Sequence, residues 1–241
     1  SIDLGNGVTL NNNGNYDGMI IKYYSDGSVQ WAKAIGEDGS DYIYSVAETR
    51  DGGYIAGGHF LSSSIDLGNG VTLNNNKNGL SDGMIIKYDS VGNAQWAKAI
   101  GGSSSDYINS VAETSDGGYI AGGYFGSSSI DLGNGVTLTN QGVTSYGDGM
   151  IIKYDSAGNV QWAKGIEGSN NEGINSVAET SDGGYIAGGY SYSFSIDLGN
   201  GVTLNNNGSY DGMIIKYDSE GNAQWAKSIG GSINDYINSV A

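Results

Sequence analysis

The chain has 241 residues, 26 acidic against 10 basic side chains for a formal net charge of -16, 43 Gly and 18 Tyr, and neither Pro nor Cys. Such acidity argues against unaided binding to nucleic-acid phosphates or an anionic lipid surface. The lack of Cys excludes disulfides, zinc-thiolate sites and thiol nucleophiles, and no apolar run is long enough to insert into a membrane as a helix.

The first ten residues, SIDLGNGVTL, return unchanged at Ser64, Ser129 and Ser195, so the chain is an array with periods of 63, 65 and 66 residues. Within the decapeptide, IDL and VTL alternate apolar and polar residues around GNG, which predicts a small hairpin with a two-residue Asn-Gly turn. A loop of 6, 8, 9 or 6 residues follows, NNNGNY, NNNKNGLS, TNQGVTSYG or NNNGSY, and it absorbs all the variation in period. Next come GMIIKYD, a tight turn such as DSVGN, and QWAKAI; after a linker, INSVAET, the turn ETSDGGY and GGYIAGGYF complete the period. These runs are short, rich in Ile, Val, Tyr and Trp, and bounded by Gly, Asn and Asp, which predicts strands and reversing turns throughout.

Calling INSVAET strand A, GGYIAGGYF strand B, GMIIKYD strand C and QWAKAI strand D, complete four-stranded units are expected at 41–99, 106–164 and 172–227. The decapeptide hairpin is then inserted between strands B and C. Strands C and D at 17–35 and a strand A at 235–241 are expected to share one further, split unit that lacks strand B. A repeat of four antiparallel strands without helices predicts an all-β fold, a β-propeller of four-stranded blades over residues 1–241.

The string DGMIIKYDSxGNxQWAKAIGG…DYINSVAETSDGGYIAGGY, where x varies, resembles the bacterial β-propeller repeat of secreted and cell-surface proteins. The resemblance covers nearly the whole chain and implies an extracellular or cell-surface scaffold; the longer period and inserted hairpin depart from that pattern.

Residues repeated in every unit are expected to pack, as with Met19, Met84, Met150 and Met213, or Trp31, Trp96, Trp162 and Trp225. Lys22, Lys87, Lys153 and Lys216 are expected to pair with Asp17, Asp82, Asp148 and Asp211 or with Glu48, Glu113 and Glu179. His59 is the single His, and its sister positions hold Tyr124 and Tyr190. No hydrolase triad, zinc or phosphate-loop pattern is present, so no catalytic residue and no organic cofactor are expected. The oxygen-rich GEDGSD stretch makes Glu37, Asp38 and Asp41 calcium candidates.

The copies differ in the loop before strand C, which carries Tyr16, Lys77, Leu80, Tyr146 and Tyr210, and in the link after strand B, which carries Phe60, Leu61, Phe125, Tyr192 and Phe194. Tyr among Asn, Ser and Gly suits adaptable recognition. The expected ligand-binding set is Tyr16, Tyr146, Tyr210, Tyr192 and Phe125, facing a glycan or protein surface. The alternative is a structural subunit forming homo-oligomers or filaments by strand complementation of the incomplete unit.

Overall fold

The computed structural model describes residues 1–76, 80–140 and 146–241, and these form strands and turns without a helix. A hairpin, β1 (Ile2–Asp3) and β2 (Thr9–Leu10), leads into a two-stranded ribbon, β3 (Gly18–Tyr23) and β4 (Val29–Ile35). The first complete unit comprises β5 (Asp41–Glu48), β6 (Tyr54–Phe60), the hairpin β7 (Ser64–Asp66) and β8 (Thr72–Asn74), β9 (Asp82–Tyr88) and β10 (Ala94–Ile100). The second comprises β11 (Asp106–Glu113), β12 (Tyr119–Phe125), β13 (Ser129–Asp131), β14 (Thr137–Thr139), β15 (Asp148–Tyr154) and β16 (Val160–Ile166). The third comprises β17 (Glu172–Glu179), β18 (Tyr185–Ser191), β19 (Ser195–Asp197), β20 (Thr203–Asn205), β21 (Asp211–Tyr217) and β22 (Ala223–Ile229).

Each unit is an antiparallel A-B-C-D meander in sequence order, with the decapeptide hairpin looping out between B and C as its own two-stranded element. The expected propeller-like arrangement of four-stranded sheets is therefore present. The turns between C and D need a residue with positive φ, and Gly92, Gly158 and Gly221 supply it at 83°, 77° and 77°. The decapeptide turn differs from the expected two-residue form. Gly68, Asn69 and Gly70 all take positive φ (81°, 54° and 76°), and the Leu67 amide reaches the Val71 carbonyl at 2.9 Å to close a three-residue loop.

The apolar cores lie between units. One cluster combines Ile55, Ile85 and Ile100 of the first unit with Ile108, Met150, Ile152 and Tyr154 of the second. Another joins Ile120, Ile151 and Ile166 of the second to Ile174, Met213 and Tyr217 of the third. The decapeptide hairpins complete these clusters: Ile130 and Leu138, then Ile196 and Leu204, are at most 3% exposed. The hairpins β7–β8, β13–β14 and β19–β20 thus bury one apolar face and gain from these clusters the stability that so short a ribbon lacks alone, whereas Ile2 of β1 is 52% exposed.

Residues 235–241 lie at the strand A place that follows the third unit, where the Ile237 amide donates to the Gly189 carbonyl at 3.1 Å and the Val240 amide to Ser176 Oγ at 3.1 Å, and they join no strand ladder. One expectation is corrected. The strand C lysines pair with the aspartate of the A–B turn instead of the carboxylates expected from sequence. Lys87 meets Asp51, Lys153 meets Asp116 and Lys216 meets Asp182, each at 2.9 Å. Lys87 and Lys153 are buried, and each also donates to the following tyrosine carbonyl, so the ammonium is satisfied on two sides. Lys22, in the ribbon that lacks an A–B turn, instead sits 4.9 Å from the Tyr54 ring centroid.

Candidate functional site

Side chains alternate along a strand, so adjacent residues of strand B face opposite ways. Phe60 and Phe125 point into the core and are fully buried. Their neighbours His59 and Tyr124, with Tyr190 in the third unit, point the other way. Strand A brings a second aromatic opposite each of the first two: Tyr42 pairs across the ladder with His59, and Tyr107 with Tyr124. In the third unit Gly173 faces Tyr190, and the ring of Tyr236 arrives from the following segment, with centroids 5.5 Å apart.

These positions join into a row of rings. Tyr16 stacks on Tyr42 at 6.0 Å, Tyr42 lies 4.9 Å from His59, His59 lies 4.7 Å from Tyr107, and Tyr107 stacks on Tyr124 at 5.7 Å. Further along, Tyr192 stacks on Tyr210 at 4.8 Å, and Tyr210 contacts Tyr190 and Tyr236 at 5.6 and 5.8 Å. Two open depressions connect the halves. One of about 460 Å³ is lined by Tyr44, Ser105, Tyr107, Asn109, Tyr124 and Tyr190, and one of about 410 Å³ by Tyr124, Asn171, Tyr190, Tyr210 and Tyr236. They share Tyr124 and Tyr190, so they form one groove.

The groove is aromatic. Burial, neighbouring phenols and the nearby carboxylates Asp106 and Asp148 raise the Tyr124 hydroxyl, and burial, neighbouring phenols and Glu172 push Tyr190 up to about 12. Desolvation lowers His59 to about 4, and its buried Nδ1 has no hydrogen-bond partner, so the imidazole is uncharged at neutral pH. Among the described residues the linings of the two depressions are tyrosine, asparagine and serine. Such a surface offers flat apolar faces, hydroxyls and amides.

Of the residues expected from sequence, Tyr210 and Tyr192 belong to this row, and Tyr16 lies at its far end, 62% exposed. Tyr146 sits one position earlier in its loop than Tyr16 and Tyr210 do, and its carbonyl accepts the Asn140 side chain at 3.0 Å. Among the described residues its ring joins no other. Phe125 is a core residue with no surface to offer a ligand. Lys77 lies outside the described residues. Glu37, Asp38 and Asp41 do not converge: Asp38 is tied to Ser63, Asp41 is buried against Ser62, and no three acidic or imidazole groups form a metal cluster among the described residues.

Tyr42, Tyr44, Tyr107, Tyr124, Tyr190 and Tyr236 were not expected. The signal was present in the strand B column, where His59, Tyr124 and Tyr190 occupy one position beside the inward Phe or Ser.

No family model matches the chain. It is 32% identical over 145 residues to an uncharacterized WD repeat-containing protein of Acanthamoeba polyphaga mimivirus, an alignment covering 55% of this chain and 10% of that protein. The chain therefore spans about a tenth of that relative's length. A solved structure of a protein of unknown function from Bacteroides caccae aligns over 88% of this chain and 73% of its own, at 10% identity and a TM-score of 0.39. The relative's description agrees with a propeller-like repeat scaffold.

Proposed function

We propose that this chain is a non-catalytic, propeller-like binding scaffold that takes an extended saccharide along the aromatic groove. The observation that carries the reading is the row of rings itself, from Tyr107 through Tyr124 and Tyr190 to Tyr210 and Tyr236. The C–H face of a pyranose packs on a tyrosine ring, and Asn109, Asn171 and Ser105 supply amide and hydroxyl partners for sugar hydroxyls at the same surface. A repeated ligand matches a repeated platform, and the negative overall charge disfavours phosphate-rich competitors. An extracellular or cell-surface setting in a bacterium suits this role and follows from the repeat resemblance. Titration against a panel of neutral oligosaccharides tests it. Binding by the parent chain, lost by at least about tenfold in Tyr124→Ala and Tyr190→Ala, is expected; no binding across the panel overturns it.

A second reading, assembly between copies, is favoured by one specific observation. Trp31, Trp96 and Trp162 each lie against the C–D turn glycine of the next unit, where a Cβ on Gly92, Gly158 or Gly221 would come within 2.9 Å of the indole. Trp225 is 43% exposed, and Gly27 has nothing within 4 Å. One indole without a turn and one turn without an indole are complementary, and a second copy supplies both. Light scattering over a concentration series is the test: a mass fixed at one chain overturns this reading.

A further inference from the structure

Among the described residues β3 pairs with β4 alone, whereas in each complete unit the same edge of strand C carries strand B. A free edge of this kind presents a row of backbone amides and carbonyls to an added strand. The ribbon nevertheless stands where strands C and D of a complete unit stand. A Cβ on Gly18 would lie 3.0 Å from Ile43 Cγ1, just as one on Gly83 would lie 3.3 Å from Ile108 Cγ1 and one on Gly212 3.1 Å from Ile237 Cγ1. The strand B place beside β3 is therefore framed by the following unit as it is elsewhere.

Both faces of that place are apolar. On one, Ile43 and Val46 of β5 occupy the positions at which Ile108 and Val111, or Ile174 and Val177, meet strand B of the preceding unit. Val111 and Val177 are buried there, whereas Val46 is exposed. On the other face, Ile2, Leu10, Met19 and Ala34 line a depression of about 110 Å³. In the first two complete units the matching hairpin and strand C residues share a cluster with the last residue of strand B. Phe60 packs with Ile65, Leu73 and Met84, and Phe125 with Ile130, Leu138 and Met150. The depression is thus a phenylalanine seat without its phenylalanine.

The filled places define what fits. Strand B runs antiparallel to strand C, with Gly122 opposite Ile151, Gly123 opposite Met150 and Phe125 opposite Asp148; Gly57, Gly58 and Phe60 keep the same register on β9. On β3 this register sets the two glycines opposite Ile20 and Met19 and the phenylalanine opposite Asp17. The neighbouring unit requires the first glycine: a Cβ on Gly57 would come within 2.7 Å of Ile108 and Val111, and one on Gly122 within 2.6 Å of Ile174 and Val177. Ile43 and Val46 impose the same limit beside β3. The second glycine is required by strand A of its own unit, since a Cβ on Gly123 would run into the Tyr107 carbonyl. The ribbon has no strand A of its own among the described residues, so that limit is lifted there.

We propose that the free edge of β3 accepts an extended peptide strand of another chain, one that carries isoleucine, glycine and phenylalanine at the spacing of Ile120, Gly122 and Phe125. Backbone pairing with β3 supplies the affinity, and the phenylalanine seat and the glycine requirement supply the selectivity. The site shares no residue with the two depressions of the aromatic groove or with the Trp225 contact, and it operates without either.

The test is fluorescence anisotropy of a labelled synthetic peptide of residues 115–126 titrated with the full chain. Saturable binding is expected, weakened at least about tenfold by Phe125→Ala or Gly122→Val in the peptide and less than about threefold by Gly123→Val. On the protein, Val46→Glu should weaken binding at least about tenfold. Val91→Glu, at a position equally open to solvent, should leave it unchanged. Hydrogen exchange should show added protection in β3 when the peptide is bound. Absence of binding, equal binding of a scrambled peptide, indifference to both Gly122→Val and Val46→Glu, or protection that appears only outside β3 overturns the proposal. A dimer through β3 that the peptide fails to displace also overturns it, because the edge then belongs to a second copy.

Discussion

Internal and terminal units carry nearly the same words but not the same structure. Met84, Met150 and Met213 are fully buried, whereas Met19 is 54% exposed. Ile35, Ile100 and Ile166 are at most 1% exposed and Ile229 is 49% exposed; Val111 and Val177 are 4% exposed and Val46 is 51% exposed. A unit therefore does not own a core. It owns two half-cores, and each becomes a core only when the neighbouring unit lies against it. The same logic governs the lysines, since Lys87 and Lys153 are buried against an A–B turn that the ribbon holding Lys22 does not possess.

The largest expected effect separates these environments directly. Met150→Ala should cost about 2–5 kcal/mol in urea unfolding, because it empties a sealed site between the first and second units, whereas Met19→Ala should cost less than about 1 kcal/mol. Equal costs would break the distinction. The next contrast lies along the aromatic row, where His59 stands in the place of Tyr124 and Tyr190. Its folded value of about 4 lies below the ordinary 6.5. The neutral form is the one the fold prefers, so His59 costs nothing above about pH 6.5 and progressively more as pH falls towards about 4. His59→Tyr should therefore gain on the parent over that window by on the order of 3 kcal/mol, with no added gain below it. The raised Asp106 works in the opposite sense, gaining stability as pH falls through about 6. The difference between variant and parent is thus the quantity to measure, and a difference independent of pH contradicts the burial of the imidazole. The smallest effect belongs to Trp225→Ala, which should change the stability of a single chain by less than about 1 kcal/mol while abolishing any concentration-dependent mass.

The order and type of strands were legible because alternation, turn glycines and exact repetition act locally. The three-residue hairpin turn was misjudged because Asn-Gly alone does not reveal that the preceding Gly68 also takes positive φ. The lysine partners were missed because Asp51 approaches Lys87 only after β6 and β9 pair, a ladder that sequence spacing does not display. The groove was half legible. Tyr210, Tyr192 and Tyr16 stood out as loop residues, but the larger part of the row sits at regular strand positions, where repetition suggested packing. Phe125 and Tyr124 illustrate the reason: one step along a strand exchanges core for surface, and which face is which depends on the neighbouring unit.

Whether the rings act as one continuous platform is decided by calorimetric affinities for neutral oligosaccharides of increasing length. A platform shared by Tyr107, Tyr124, Tyr190 and Tyr236 predicts affinity that climbs with each added sugar until the ligand spans both depressions, and a climb that stops early in Tyr190→Ala. Affinity independent of length, or unchanged by Tyr190→Ala, would contradict it.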